Sequence, residues 1–370
     1  MLASEMRGAE ADVIALSGTD IVDRWEDARE LDTPPLIVRE GLAKALKAEE
    51  LPEVERIDAG HSNPTFLVLS QGDRWILRRP PRPPFAPKAH DVLREYRVLA
   101  ALSDQQVRTP TPLLACEDPA VIGAPFYLME ALNGLVIKAD TPPPLGTPAQ
   151  RARVGDELVE SLVELHAVDI DVAKIGSRAS GASYLERQIA LWSAQLDQRK
   201  LVREIPALTA LTQHLSSQIP VSPTVSIVHG DFKLDNMFFS PAAPARLIAI
   251  LDWEMATLGD PLADLGFLTA TWTEPGESPD RTAGLSSATA QPGFPTRSEL
   301  ASRYAELSGA SLDQLAWYQG FALWKIAILL EASYQRFLAG TAEDAFFPTL
   351  KQGVLQIAEQ ALDAAAGSLL

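Results

Sequence analysis

The chain has 370 residues, of which 46% are hydrophobic and 22% charged, with a net charge of −17 at pH 7. That length and apolar content support a sizeable core divided between two lobes rather than a disordered chain. The acidic balance argues against nonspecific nucleic-acid binding, since phosphate backbones attract basic surfaces, and the single cysteine, Cys116, excludes an intramolecular disulfide or a cysteine metal cluster.

The charge suits solubility and leaves open a cationic substrate or a plain solvated surface, and the lone cysteine fits a reducing, cytoplasmic setting. The first residues lack a basic stretch followed by an apolar core, and the apolar run 321–330 is broken by Lys325. Neither a signal peptide nor a membrane span is expected. Oligomeric state is not legible.

Residues 1–34 are polar and acidic with little periodicity and read as an N-terminal extension. Residues 35–131 read as a smaller lobe and 132–370 as a larger, mostly helical one. Residues 37–46 predict a short amphipathic helix. Residues 54–79 then predict a three-stranded antiparallel meander, turning at 59–65 and again at Gln71-Gly72-Asp73. The first turn carries small and polar residues that let backbone amides approach phosphates, although an ordinary hairpin uses the same residues.

In the third strand, Trp75 and Leu77 share one face while Ile76 and Arg78 share the other. The prolines of 80–84 force an extended connection. Residues 89–102 predict a helix with Val92, Leu99 and Leu102 on its apolar side and Glu95 in its first half. Residues 113–114 and 126–130 predict strands, the second leading into an irregular connection at 131–134. Helices follow at 147–168, 184–199 and 205–218.

The branched, apolar runs 225–228 and 247–251 predict buried strands, each ending at a polar loop where function tends to sit. A glycine- and proline-rich stretch, 274–295, reads as a flap or mobile loop. The final helices are expected at 298–308, 312–338 and 347–365. Their aromatic residues Trp317, Tyr318, Phe321, Trp324 and Tyr334 fall at helical spacing and read as core.

The chemistry sits in the two loops, HGDFKLDN (229–236) and ILDWE (250–254). Phosphoryl transfer needs a carboxylate to orient the attacking hydroxyl and oxygen ligands to hold magnesium against phosphates. Asp231 and Asn236 stand five residues apart, the base-to-metal-ligand spacing of a phosphoryl-transfer loop, and Asp252 supplies a further acid downstream. Any one of these aspartates alone would read as a turn or helix cap. Lys233 lies where a cation would help the developing charge, or else is a solvated loop lysine.

These segments, continued through ILDWEMATLGDPLADLG (250–266), resemble the aminoglycoside phosphotransferase family, within it the branch fused in some organisms to acyl-CoA dehydrogenases. The resemblance runs from about residue 36 to about residue 338. It implies an α+β, protein-kinase-like, two-lobed fold: a small N-lobe with an antiparallel sheet and one helix, and a larger helical C-lobe. It implies ATP and Mg2+ as cofactors, Asp231 as catalytic base, and Asn236 and Asp252 as magnesium ligands.

By the same resemblance Ser62 and Asn63 belong to a phosphate-covering loop, while Met129, Glu130 and Leu132 lie around adenine; Met129 reads equally as core. Family members place a lysine on the third strand where this chain has Arg78, with Glu95 as its partner. Arginine remains cationic and binds phosphate, but as a larger planar fork. The implied activity moves the γ-phosphate of Mg-ATP to a hydroxyl of a small molecule: a hydroxyacyl compound, an antibiotic or an amino alcohol. A catalytically silent nucleotide-binding scaffold is the alternative. ILDWE in place of a DFG segment, and the lack of an APE-like segment, disfavour a protein kinase. His166 reads as a structural or packing residue, Asp264 as a backbone anchor, and Glu254 as a neighbour of the metal.

Overall fold

A computed structural model describes residues 20–57, 63–83, 90–169, 183–198, 203–221, 224–277, 285–340 and 346–369. Ser62, residues 1–19 of the extension and residues 278–284 of the glycine- and proline-rich stretch lie outside them. The chain divides into two units, one of residues 1–105 with 109–133, the other of 106–108 with 134–370.

In the first unit Ile21–Val22 (β1) runs parallel to Ile37–Val38 (β2), on either side of the short helix Trp25–Ala28 (α1). Helix Arg39–Leu46 (α2) therefore starts two residues later than the sequence pattern predicts. The β-branched pair Ile37 and Val38 is fully buried and spends its backbone on strand pairing instead. Asp20 accepts hydrogen bonds from Arg56 (3.3 Å) and Arg82 (2.6 Å), which ties the start of the described chain to this unit.

The main sheet contains Glu53–Arg56 (β3), Thr65–Ser70 (β4) and Asp73–Arg78 (β5), the last two joined by a tight turn in which Gln71 and Gly72 both have positive φ. Helix Val92–Leu102 (α3) follows, capped by the Asp91 carboxylate, which accepts from the Arg94 N–H at 2.9 Å. Pro112–Cys116 (β6) and Phe126–Glu130 (β7) complete an antiparallel sheet of order β3-β4-β5-β7-β6. Its buried face, Phe66, Val68, Leu77, Phe126 and Leu128, packs on Ile37, Leu42 and Ile122.

The second unit begins with Leu135–Val136 (β8), then helices Pro148–His166 (α4), Tyr184–Gln198 (α5) and Pro206–Ser217 (α6). Four short strands carry the two polar loops: Ser226–Val228 (β9), Met237–Phe239 (β10), Leu247–Ile250 (β11) and Thr257–Gly259 (β12). Helices Leu262–Thr271 (α7), Arg297–Ser308 (α8), Leu315–Leu338 (α9) and Leu350–Ala365 (α10) close the chain.

α9 is apolar around most of its circumference and is buried accordingly, with Trp317, Tyr318, Phe321, Trp324 and Tyr334 all in the core. It contacts α7 and α10 extensively. Gly266 and Gly320 permit that approach: a Cβ at 266 would fall 2.5 Å from the Tyr318 Cβ, and one at 320 would fall 2.6 Å from the Ala365 Cβ. Within the 274–295 stretch the described residues include both exposed positions, Pro275, Gly276, Pro292 and Gly293, and buried ones. Ser286, Ala288 and Thr289 are buried, and the Thr289 hydroxyl accepts from Thr273 N–H (2.9 Å) and donates to Thr273 O (2.8 Å).

Candidate active site

Strand register brings the two polar loops together. Val228, the end of β9, pairs with Thr257, the start of β12, and Met237, the start of β10, pairs with Ile250, the end of β11. The loops 229–236 and 251–256 thus leave adjacent strand ends. They are stitched by Leu251 N–H to Asn236 O (2.9 Å) and His229 Nε2 to Leu251 O (2.9 Å). The Asp231 N–H donates to His229 Nδ1 at 3.3 Å, so the ring carries its proton on Nε2. Trp253 stacks edgewise on the same ring at 4.8 Å.

Within the first loop the Asp231 carboxylate accepts from Lys233 Nζ through both oxygens (2.9 and 2.7 Å) and from Asn236 Nδ2 through Oδ2 (2.8 Å). The same Asn236 amide donates to the Asp231 carbonyl at 2.8 Å. These two bonds fix which end of the amide is nitrogen and turn Oδ1 away as an acceptor. Burial opposes the Lys233 charge, but Asp231, Asp235 and Asp252 outweigh it and hold the ammonium above the ordinary lysine value. Asp235 faces the other way and accepts from Ser286 N–H at 3.0 Å; burial raises its pKa, against the pull of Lys233.

Asp252 adopts the left-handed region (φ 66°), which carries the chain from β11 into a short 3-10 turn. Asn236 and Asp252 offer one amide and one carboxylate oxygen. That donor set suits magnesium, a hard cation that takes one or two carboxylates and completes its shell with water and phosphate.

Residues outside these loops hold the segment that leads into Asp231. Asp264, on α7, accepts from His229 N–H (2.6 Å) and Gly230 N–H (2.8 Å), so its anchoring role falls on the loop rather than on its own helix. His166 bridges Asp264 Oδ2 (3.3 Å) and the Tyr304 hydroxyl (2.8 Å), a structural link. Lys325, on α9, donates to the Gly230 carbonyl at 3.3 Å. A lysine interrupting an apolar helix was the signal for it. Gly230 itself has φ 85°, and a Cβ there would meet the Met255 carbonyl at 3.0 Å.

In the first unit Arg78 Nη1 donates to Glu95 Oε1 at 2.5 Å, with side chains 10% and 1% exposed. Arg79, its neighbour, turns to backbone instead, donating to the carbonyls of Pro80 and Leu36. Tyr127 pairs with Arg78 across β5 and β7, and burial together with the Glu95 charge holds its phenol well above the usual range. Sequence periodicity shows Tyr127 only as a strand residue. Asn63 is buried and its Oδ1 meets His90 Nδ1 at 2.9 Å, ahead of α3. Met129 is buried in β7, whereas Glu130 is exposed and gives its N–H to Thr111 O at 2.9 Å. Leu132 is half-buried just beyond the strand.

Residues 53–300 match the model of the phosphotransferase enzyme family (APH). The chain belongs to this family. Among curated relatives it is 33% identical over 294 residues to acyl-CoA dehydrogenase family member 10 of Mus musculus, covering 79% of this chain. It spans only 27% of that relative's length. A solved structure from Ralstonia eutropha JMP134, assigned as an aminoglycoside phosphotransferase, superposes with a TM-score of 0.73 at 30% identity, over 89% of this chain and 98% of that one. The fold extends to aminoglycoside phosphotransferase APH(4)-Ia, solved as a thermostable mutant in ternary complex with ADP and hygromycin B, at 15% identity and a TM-score of 0.59 over 90% and 99% of the two chains. The small antiparallel sheet and helical second unit are thus those of the kinase-like phosphotransferases.

Proposed function

We propose that this phosphotransferase moves the γ-phosphate of Mg-ATP to a hydroxyl group of a small molecule. The observation that carries the reading is the Asp231 carboxylate, held by Lys233 and by an Asn236 amide whose oxygen is turned away. Asp231 orients the acceptor hydroxyl and takes its proton as the acceptor oxygen bonds to the γ-phosphorus and the bond to the bridging oxygen of ADP breaks. Lys233, already on the base, sets a positive charge beside the oxygens that gain charge in transfer. Asn236 and Asp252 hold magnesium, which when bound neutralises phosphate charge.

Arg78, oriented by Glu95, takes up nucleotide phosphates, and Ser62 and Asn63 cover them. The backbone around 130–132 meets adenine beside Met129; because the Glu130 N–H is committed within the sheet, the residues after it carry that contact. The nucleotide-bound structure of APH(4)-Ia supports nucleotide use, and the acyl-CoA dehydrogenase relative favours a hydroxyacyl acceptor over an antibiotic.

The test is ADP release from Mg-ATP across a panel of hydroxyacyl compounds, amino alcohols, sugars and aminoglycosides. Acceptor-dependent release is expected, falling on the order of 1,000-fold in Asp231→Asn with nucleotide binding retained. Near-normal turnover in that variant would sink the assignment of the base.

A further inference from the structure

Lys325 is the most deeply buried lysine near the catalytic loop, only 4% exposed on a helix whose buried side chains are mostly apolar. Among the described residues its ammonium has one hydrogen-bond acceptor, the carbonyl of Gly230, immediately before Asp231. Three rings face it instead: Phe321 at 5.6 Å, Trp192 at 5.7 Å and Phe267 at 6.0 Å. Lys233 lies over the same Phe267 ring at 6.0 Å. No salt bridge to a carboxylate closes on Lys325 among the described residues, although Asp231 and Asp264 are near enough to act on its charge.

Burying an ammonium without a paired anion is costly, and here burial outweighs those two carboxylates and draws the lysine below its ordinary pKa. A methionine or leucine would fill the volume without that cost. What the lysine adds is a donor for one particular carbonyl. Gly230 is consequently held through both of its backbone polar groups: its N–H by Asp264 of α7 at 2.8 Å, and its C=O by Lys325 of α9. Gly230 is the left-handed hinge (φ 85°) that sets the direction in which the chain enters Asp231.

We infer that Lys325 is a positioning residue for the base: with Asp264 it clamps the backbone of Gly230 on both sides of its Cα and so fixes where the Asp231 carboxylate sits. The ring cage of Trp192, Phe267 and Phe321 keeps the ammonium dry and aimed at that carbonyl, through cation–π attraction in place of a counter-ion. The inference rests on the proposed phosphotransfer for its kinetic consequence only; the clamp itself is a property of the chain.

The experiment compares wild type with Lys325→Met, Lys325→Gln and Lys325→Arg. Hydrogen exchange followed by mass spectrometry reads the segment 226–239 against α3 and α6. In folded Lys325→Met, exchange in 226–239 should rise at least about 10-fold, with α3 and α6 unchanged. With an active acceptor, kcat should fall on the order of 100-fold while the KM for nucleotide stays within about twofold, since misplacing a reacting group by an ångström costs that much. Lys325→Arg, which keeps a cationic donor, should restore part of both. If the methionine variant does not fold, Lys325→Gln, whose donor is shorter and uncharged, should loosen the same segment. Wild-type protection of 226–239 in either folded variant, or a uniform rise throughout the second unit, overturns the inference. If wild type itself fails to turn over Mg-ATP, the phosphotransfer reading falls and the exchange comparison still decides the clamp.

Discussion

Arg78 and Glu95 of the first unit meet across 17 residues of chain, whereas the Gly230 backbone of the second is held by Asp264 and Lys325 from 34 and 95 residues away. The first contact joins a strand to the next helix, and its partners are set by one supersecondary unit. The second depends on α7 and α9 packing closely enough for side chains from both to reach one loop. A carboxylate partner is found locally in one case and assembled from distant helices in the other. The Arg78 pair should therefore tolerate changes in the rest of the molecule, while the Asp231 loop should register any disturbance of the helical core.

Among substitutions at these contacts, the largest effect is expected at Asp264. Asp264→Ala leaves the buried N–H groups of His229 and Gly230 without their acceptor, for a loss of about 4 kcal/mol in urea unfolding. A loss of about 0.5 kcal/mol, as for a surface change, would show that the loop does not depend on α7.

Arg78→Met comes next, because it removes the cation that faces the Glu95 charge in a site where that side chain is 1% exposed. A cost of about 3 kcal/mol is expected, together with weaker nucleotide binding. Arg78→Lys should recover part of the stability, since lysine supplies a point charge but not the planar fork. If Arg78→Met unfolds at the wild-type urea midpoint, the pair is not what holds β5 to α3.

The smallest effect is expected at Lys233, which sharpens the contrast through pH. Its pKa is raised in the folded state, so the stability it contributes is fully present below the unfolded lysine value of 10.5 and is lost only as pH climbs through the higher folded value. Thermal melts of Lys233→Met and wild type should differ by a constant amount between about pH 6 and pH 9, corresponding to about 1 kcal/mol. A difference that vanishes within that window would mean the lysine is not held as a cation by Asp231.

Much of the molecule follows from local pattern. The β3–β5 meander, strand Phe126–Glu130 and the long closing helices lie close to where periodicity predicts them, because two- and 3.6-residue repeats survive in the sequence. The exception at Ile37 and Val38 has a tertiary cause: pairing with Ile21 and Val22, which lie in a segment with no periodicity of its own. The inward packing of Ser286 to Thr289 is likewise invisible locally, since it rests on Asp235 and Thr273.

By itself the sequence determined the chemical inventory: an aspartate, a lysine and an asparagine on one short loop, an acid on the next, and a cation one strand before a helical glutamate. These groups sit within a few residues of each other or on consecutive elements, so spacing alone relates them. Only the tertiary structure decided what holds the inventory in register. Asp264 reads locally as an acid ahead of an apolar helix and Lys325 as a flaw in another. Their shared target, the backbone of Gly230, comes within reach only once β9, α7 and α9 have packed, because a hydrogen bond between side chain and distant backbone leaves no period in the chain.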